Sequence, residues 1–178
     1  MGHEGGNSSG EFFFTLTMTD IAAGWTINRS MKNKAAPWLV QAIDEASTQF
    51  PFAILGIDSD NGSEFINMHL SEYCLVRKIT FTRSRSGNKN DGAHVEQGNW
   101  NHVRQLVGFL PFDTEAEFEL LDRIWGLDGV FTNYLLAQQK VVEKHRHGAK
   151  VTDHYDRAQT PTPQRSPTTG STGRRASP

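Results

Sequence analysis

Apolar and polar positions along the chain change period several times, and each change marks an element. Phe12-Phe13-Phe14-Thr15-Leu16-Thr17-Met18 is aromatic and β-branched without a helical period, and predicts a largely buried strand. Thr19 to Gly24 supplies turn residues. Trp25 to Arg29 then predicts a second strand, antiparallel to the first. Pro37 opens a helix where its missing N–H costs nothing. Leu39, Ala42, Ile43, Ala46 and Phe50 recur on one face of it, and Pro51 ends it. Phe52 to Ile57 reads as a short apolar strand, central in a sheet and parallel to a neighbour. Ile66, Leu70, Tyr73 and Cys74 mark the next amphipathic helix, and Ile79-Thr80-Phe81-Thr82 a short strand. Arg83 to Gly92 holds no apolar residue and predicts a polar loop. Ala93 opens a helix with Glu96, Trp100, Val103 and Val107 on one face. Thr114 with Glu117 forms a capping box, which starts a helix carrying Phe118, Leu121, Ile124 and Trp125. Gly126 to Gly129 interrupts it, and Val130 to Val142 reads as helical again.

Strands and helices in this order pack as a mixed sheet with helices on its faces, an α/β class. The pattern divides the chain into a flexible loop over 1–10, a core over 11–110, a helical extension over 111–158 and a disordered tail over 159–178. A length of 178 residues suits one domain with a real core, and a mean hydropathy of −0.53 fits a chain partly outside that core. No apolar run approaches a membrane span, and no basic-then-apolar leader opens the chain. Cys74, the single cysteine, excludes an internal disulfide, fits a reducing cytoplasmic setting and falls on an apolar helix face, where a buried thiol is expected. The formal charge of −2 conceals an alternation. Residues 1–76 carry a net −6, 77–104 a net +4, 105–138 a net −5 and 139–178 a net +5. The two basic blocks are either ordinary solvated charge or a surface for phosphates. The histidines show no spacing that suits zinc.

The residues that carry chemistry gather around Gly56 to Asn67. Asp60 stands between the apolar run and the next helix, followed by Asn61-Gly62. A carboxylate on the lip of a strand beside a glycine turn is well placed to hold a hard cation. Glu96 follows with 35 residues between them. Taken singly, Asp60 also reads as a helix N-cap, and Glu96 as a first-turn acid favoured by the helix dipole.

Asp58-Ser59-Asp60-Asn61-Gly62-Ser63-Glu64-Phe65, followed by Ala93-His94-Val95-Glu96-Gln97-Gly98-Asn99, resembles the DDE-type integrase catalytic core of bacterial insertion-sequence transposases and retroviral integrases. Asn133-Tyr134, Lys140, Lys144-His145-Arg146, Gly148 to Val151 and Tyr155 to Pro161 are similar to the region that follows that core in the transposases. The resemblance covers roughly residues 3–165. It implies a ribonuclease-H-like mixed sheet with flanking helices, here lacking its first strand. It also implies three acids that hold Mg²⁺ or Mn²⁺, of which Asp60 is the second and Glu96 the third. The first would lie on a strand before Met1, so the chain is expected to be truncated at its N-terminus and to stop short at its C-terminus. Asp20, Glu4 and Glu11 are poor substitutes, and Asp58 a secondary one. Asn61 and Gly62 would shape the turn. Arg83, Arg85, Lys89 and Asn90 would lie on a mobile loop beside DNA, with Asn99 one helical turn beyond Glu96. Lys140, Lys144, Arg146 and Lys150 would track a phosphate backbone.

The reading that follows is DNA transposition or integration: metal-dependent strand cleavage and transfer on mobile-element ends and target DNA, impaired by the absent first acid. The chain would sit in the bacterial cytoplasm at the nucleoid, without a membrane partner, as a homo-oligomer or bound to an intact transposase. The alternative is a non-catalytic nucleic-acid-binding fragment that interferes with the intact enzyme. A general ribonuclease-H-like nuclease is a third possibility, with RNA–DNA hybrids as its substrate.

Overall fold

The computed structural model describes residues 1–7, 9–59, 64–83, 103–139, 141–148 and 150–161. β1 (Phe14–Thr19) and β2 (Thr26–Met31) form the expected antiparallel hairpin, in register from Phe14↔Met31 to Thr19↔Thr26. Its turn is closed by Asp20. The carboxylate accepts the Ala23 N–H at 2.5 Å and the carbonyl accepts the Gly24 N–H at 2.7 Å. Gly24 sits at φ +79, a conformation that costs glycine little.

The side chains of β1 alternate between two helical layers. Phe14, Leu16 and Met18 pack against Leu39 and Ile43 of α1 (Ala36–Ser47) and Leu70, Tyr73 and Cys74 of α2 (Glu64–Arg77). On the other face, Phe13 meets Phe118 of α3 (Glu115–Val130) with ring centroids 5.0 Å apart. The expected periodicity of α1 is present, with Leu39, Ala42, Ile43 and Ala46 buried and Pro37 in the first turn, but the helix ends at Ser47 and Phe50 lies beyond it. Asp44 ties α1 to α2: it accepts the Tyr73 hydroxyl at 2.8 Å and Arg77 Nη2 on both oxygens, at 2.8 and 2.9 Å. Cys74 is fully buried, and burial pushes its thiol pKa up, which makes it an inert core group.

β3 (Gly56–Ser59) and β4 (Thr80–Arg83) pair in parallel as expected, in register from Gly56↔Thr80 to Ser59↔Arg83. The strand is shorter than the apolar run and is not buried. Leu55 is 82% exposed. Among the described residues β3 pairs with β4 alone, so no neighbour on its second edge covers the run.

Three further expectations give way. Gly126 and Gly129 do not interrupt α3. Each costs about 1 kcal/mol in a helix interior, but a complete Thr114–Glu117 capping box and the buried Leu121 and Trp125 hold the helix on both sides of its middle. Val130 to Val142 is not a helix. A π-helical turn, Phe131–Leu135, ends at Leu136 in extended conformation, and the chain enters the hairpin of β5 (Val141–His147) and β6 (Lys150–Tyr155). Phe131, Leu135 and Val142, whose spacing suggests a helical face, are 52%, 69% and 65% exposed. With no core to face, β-branched residues at Val141, Val142, Val151 and Thr152 favour strand. The start of the chain is not a free loop either. Gly2 bridges Phe14 and Glu4 bridges Pro111, so Met1 to Glu4 runs antiparallel beside β1. The predicted tail lies outside the described residues from 162 onward.

Candidate functional site

Parallel pairing of β3 and β4 brings their carboxyl ends together. Ser59 and Arg83 are register partners, each the last residue of its strand. The chain leaves Ser59 directly into Asp60-Asn61-Gly62, and leaves Arg83 directly into the basic stretch that holds Arg85, Lys89 and Asn90. The two segments therefore start side by side, at the end of the strands where open α/β sheets hold their ligands. One turn back, Asp58 is exposed and accepts the Thr82 hydroxyl at 2.6 Å. This bond across the strands leaves carboxylate lone pairs to solvent.

Asp60, Asn61, Gly62, Arg85, Lys89, Asn90, Glu96, Asn99 and Lys140 lie outside the described residues. Of the predicted DNA contacts, Arg83, Lys144 and Arg146 are described and exposed. Lys144 and Arg146 share one face of β5, opposite Asp153 and Val151. That face belongs to a hairpin which packs chiefly on itself, anchored by a bridge between Gln138 and Gln159 and by Gln139 donating to the Asp156 carbonyl at 3.0 Å. Lys150 begins β6 opposite His147. Asp20 closes the β1–β2 turn by accepting the Ala23 N–H on its carboxylate. Among the described residues no group of three His, Cys, Asp or Glu side chains gathers as a metal site.

Two features go beyond the sequence reading. His3 is fully buried. Its Nε2 lies 2.7 Å from the Thr15 hydroxyl and its ring stands edge-on to Phe112 at 5.2 Å. Nδ1 has no hydrogen-bond partner. Desolvation, then the N-terminal ammonium, then Arg104 depress its pKa to about 4. Arg104 also donates to the Gly2 and Gly108 carbonyls, at 3.0 and 3.1 Å, which binds the start of the chain to the turn after Val103. The second feature is Asn133, 1% exposed, whose amide accepts from Thr26 N and donates to Thr26 O, both at 2.8 Å. It completes the outer edge of β2 as a strand would. Asp122 adds to this edge by accepting the Ser30 N–H at 3.2 Å, and Asp128 accepts from the Asn28 side-chain amide at 3.0 Å. A buried polar residue that substitutes for backbone leaves no period in the sequence, so Asn133 entered that reading only through the Asn133-Tyr134 resemblance and without this role.

These observations define an α/β protein with small sheets, helices on both faces of its first hairpin, and a parallel strand pair whose last residues, Ser59 and Arg83, are register partners. Among solved structures, the catalytic core domain of BIV integrase in its crystal form I is similar, with a TM-score of 0.51 and 17% identity, over 69% of this chain and 76% of that one. The likeness is one of fold. A protein of Sinorhizobium fredii named y4rM, described as uncharacterized, is 36% identical over 153 residues, which are 86% of this chain and 44% of that protein. The chain thus spans less than half the length of this relative. No protein-family model matches it.

Proposed function

We propose that the chain acts on DNA as a transposase- or integrase-type core with a ribonuclease-H-like arrangement. The observation that carries this reading is the Ser59↔Arg83 register pair, which starts the Asp60 turn and the basic segment side by side. Asp60 and Glu96 would hold Mg²⁺ or Mn²⁺, with Asp58 adjacent. Carboxylates are the donors that hard cations take. Such ions, when bound, activate an attacking oxygen and stabilise a leaving one in phosphoryl transfer. Arg83, Arg85, Lys89, Asn90 and Asn99 would position the DNA. The cytoplasm and nucleoid are the corresponding setting.

The second reading is a non-catalytic DNA-binding fragment that associates with an intact enzyme. It rests on the β5–β6 hairpin, a sheet separate from β3–β4, which exposes Lys144 and Arg146. One experiment separates the two. Nicking of supercoiled plasmid is measured with Mn²⁺, beside binding of a labelled duplex over a salt series. Catalysis predicts nicking that Asp60→Asn and Glu96→Gln abolish while binding persists. The second reading predicts binding without nicking. Under it, Lys144→Glu with Arg146→Glu lowers the log–log salt slope by about 2, from loss of two phosphate contacts. Neither binding at low salt nor nicking would sink both.

A further inference from the structure

Among the described residues the strands of the β5–β6 hairpin pair with each other alone, and neither face of the ribbon joins one of the apolar clusters. A lone two-stranded ribbon is marginal in water, so it calls for a surface to lie against. Its two faces differ in chemistry. On one, Glu143, His145 and His154 lean on one another: His145 Nε2 lies 3.1 Å from Glu143 Oε1, and its ring stands edge-on to His154 at 5.1 Å. On the other, Lys144 and Arg146 of β5 lie across from Asp153 and Val151 of β6. Lys144, Arg146 and Val151 are exposed. Arg146 Nε donates to the Gly148 carbonyl at 3.2 Å, which steadies a guanidinium whose planar fork suits a bidentate contact.

These four side chains are of the types that tell base pairs apart in the major groove of DNA. Arg and Lys donate to guanine O6 and N7, a carboxylate accepts from cytosine N4, and an apolar group meets the thymine methyl. A face that only tracked phosphates would gain nothing from Asp153, because a carboxylate repels the backbone. Its place beside two cations therefore favours base edges. The dimensions agree. The major groove is about 12 Å wide and admits a two-stranded ribbon. The tip of this one is narrow: His147 and Lys150 are register partners, and Gly148, at φ +61, makes the turn between them. From Lys144 to Thr152 the chain carries Lys144, Arg146 and Lys150 and no carboxylate, so the end that would enter first is basic. We infer that the ribbon lies in the major groove with this face on the bases, and reads sequence through Lys144, Arg146, Val151 and Asp153. The inference rests on the reading of the hairpin as a DNA-binding element, and it places Lys144 and Arg146 on bases where that reading places them on phosphates. Alternate residues of a strand stand about 6.8 Å apart. That is two base steps of about 3.4 Å, so Lys144 and Arg146 address guanines two steps apart.

The test mixes the full chain with duplexes that carry a randomised centre, and sequences the bound DNA. The expected result is enrichment of guanines two steps apart. The enriched duplex is then remade with 7-deazaguanine, which lacks the N7 acceptor at unchanged charge. It should bind about tenfold more weakly. Lys144→Gln with Arg146→Gln should bind the two duplexes alike, and Asp153→Asn should relax the site at a cytosine while the guanines stay selected. Binding without enrichment, or equal affinity of the parent chain for the two duplexes, overturns the inference and leaves the hairpin a phosphate-binding element. Enrichment that survives the double variant overturns it too, because another part of the chain then reads the bases. So does a loss in the double variant that is uniform across sequences and lowers the log–log salt slope by about 2, the mark of two phosphate contacts. No binding to any duplex at low salt overturns both the inference and the reading on which it rests.

Discussion

Asn133→Ala should be among the most destabilising substitutions outside the apolar core. The amide makes two hydrogen bonds of 2.8 Å to the backbone of Thr26, and Asn133 and Thr26 are 1% and 2% exposed. Water does not reach the pair, so truncation orphans one N–H and one C=O. Each buried orphan costs about 1–3 kcal/mol. We expect a loss of about 3 kcal/mol for the two together, a large part of a total that is typically about 5–15 kcal/mol. The assay is urea unfolding followed by tryptophan fluorescence. Trp25 reports on the site directly, being 5% exposed and edge-on to Tyr134 at 5.2 Å. The midpoint should fall with the slope m unchanged. Asn133→Asp is the informative companion. It keeps an acceptor for Thr26 N but buries a carboxylate with no donor for Thr26 O. Burial raises the pKa of that acid in the folded state, so stability should recover as pH falls and the acid proton restores the donor. A loss below about 1 kcal/mol for Asn133→Ala at constant m would refute the claim that this amide completes the edge of β2.

His3 makes stability depend on pH. Its folded pKa of about 4 lies below the ordinary 6.5, so the unfolded chain binds a proton that the folded one refuses. The stability linked to it is complete above pH 6.5 and is lost as pH falls toward 4, by about 3 kcal/mol in all. Urea midpoints between pH 7.5 and 4 should show a steeper fall for the parent chain than for His3→Gln, and parallel curves would count against it. At the head of α3, Thr114→Ala should cost about 1 kcal/mol by removing the N-cap, read from the same unfolding curves. Glu117 answers the same cap: the Thr114 N–H, the Asp113 N–H and the Thr114 hydroxyl lower its pKa. Its contribution is present above the ordinary carboxylate pKa and fades as pH falls through the lowered value, so Glu117→Gln should flatten that part of the profile.

What the residue pattern revealed depended on whether an element faces a core. α1 is legible because Pro37 and Pro51 bracket it and Leu39, Ala42, Ile43 and Ala46 are all buried. The β1–β2 hairpin is legible because its turn carries Asp20 and Gly24, which act there as turn residues do. The Thr114–Glu117 box marks the start of α3 because its bonds are local. Its end was misread because tertiary packing at Trp125 outweighs two glycines, and a single-sequence period cannot weigh packing. The β5–β6 hairpin was missed for the opposite reason. Its apolar residues are exposed, so they keep no period that separates strand from helix. Met1 to Glu4 was missed because its partners, Phe13 to Thr15 and Pro111, are distant in sequence and Gly2, Gly5, Gly6 and Gly10 give the start of the chain a loop-like composition.

The candidate site divides along the same line. Asp60-Asn61-Gly62 was read as chemistry from its local order after an apolar run, and these residues lie outside the described ones. β3 is exposed where a central strand was expected, and its Gly56 and Asp58 backbone groups face away from β4. Asp58 stands two residues before Asp60. Under the proposed function, Asp60→Asn should remove Mn²⁺ binding, while Asp58→Asn, whose carboxylate accepts the Thr82 hydroxyl at 2.6 Å, should weaken it by less. Equal losses in the two variants, read by Mn²⁺ titration of the full chain, would mean that Asp58 is a ligand of the same rank.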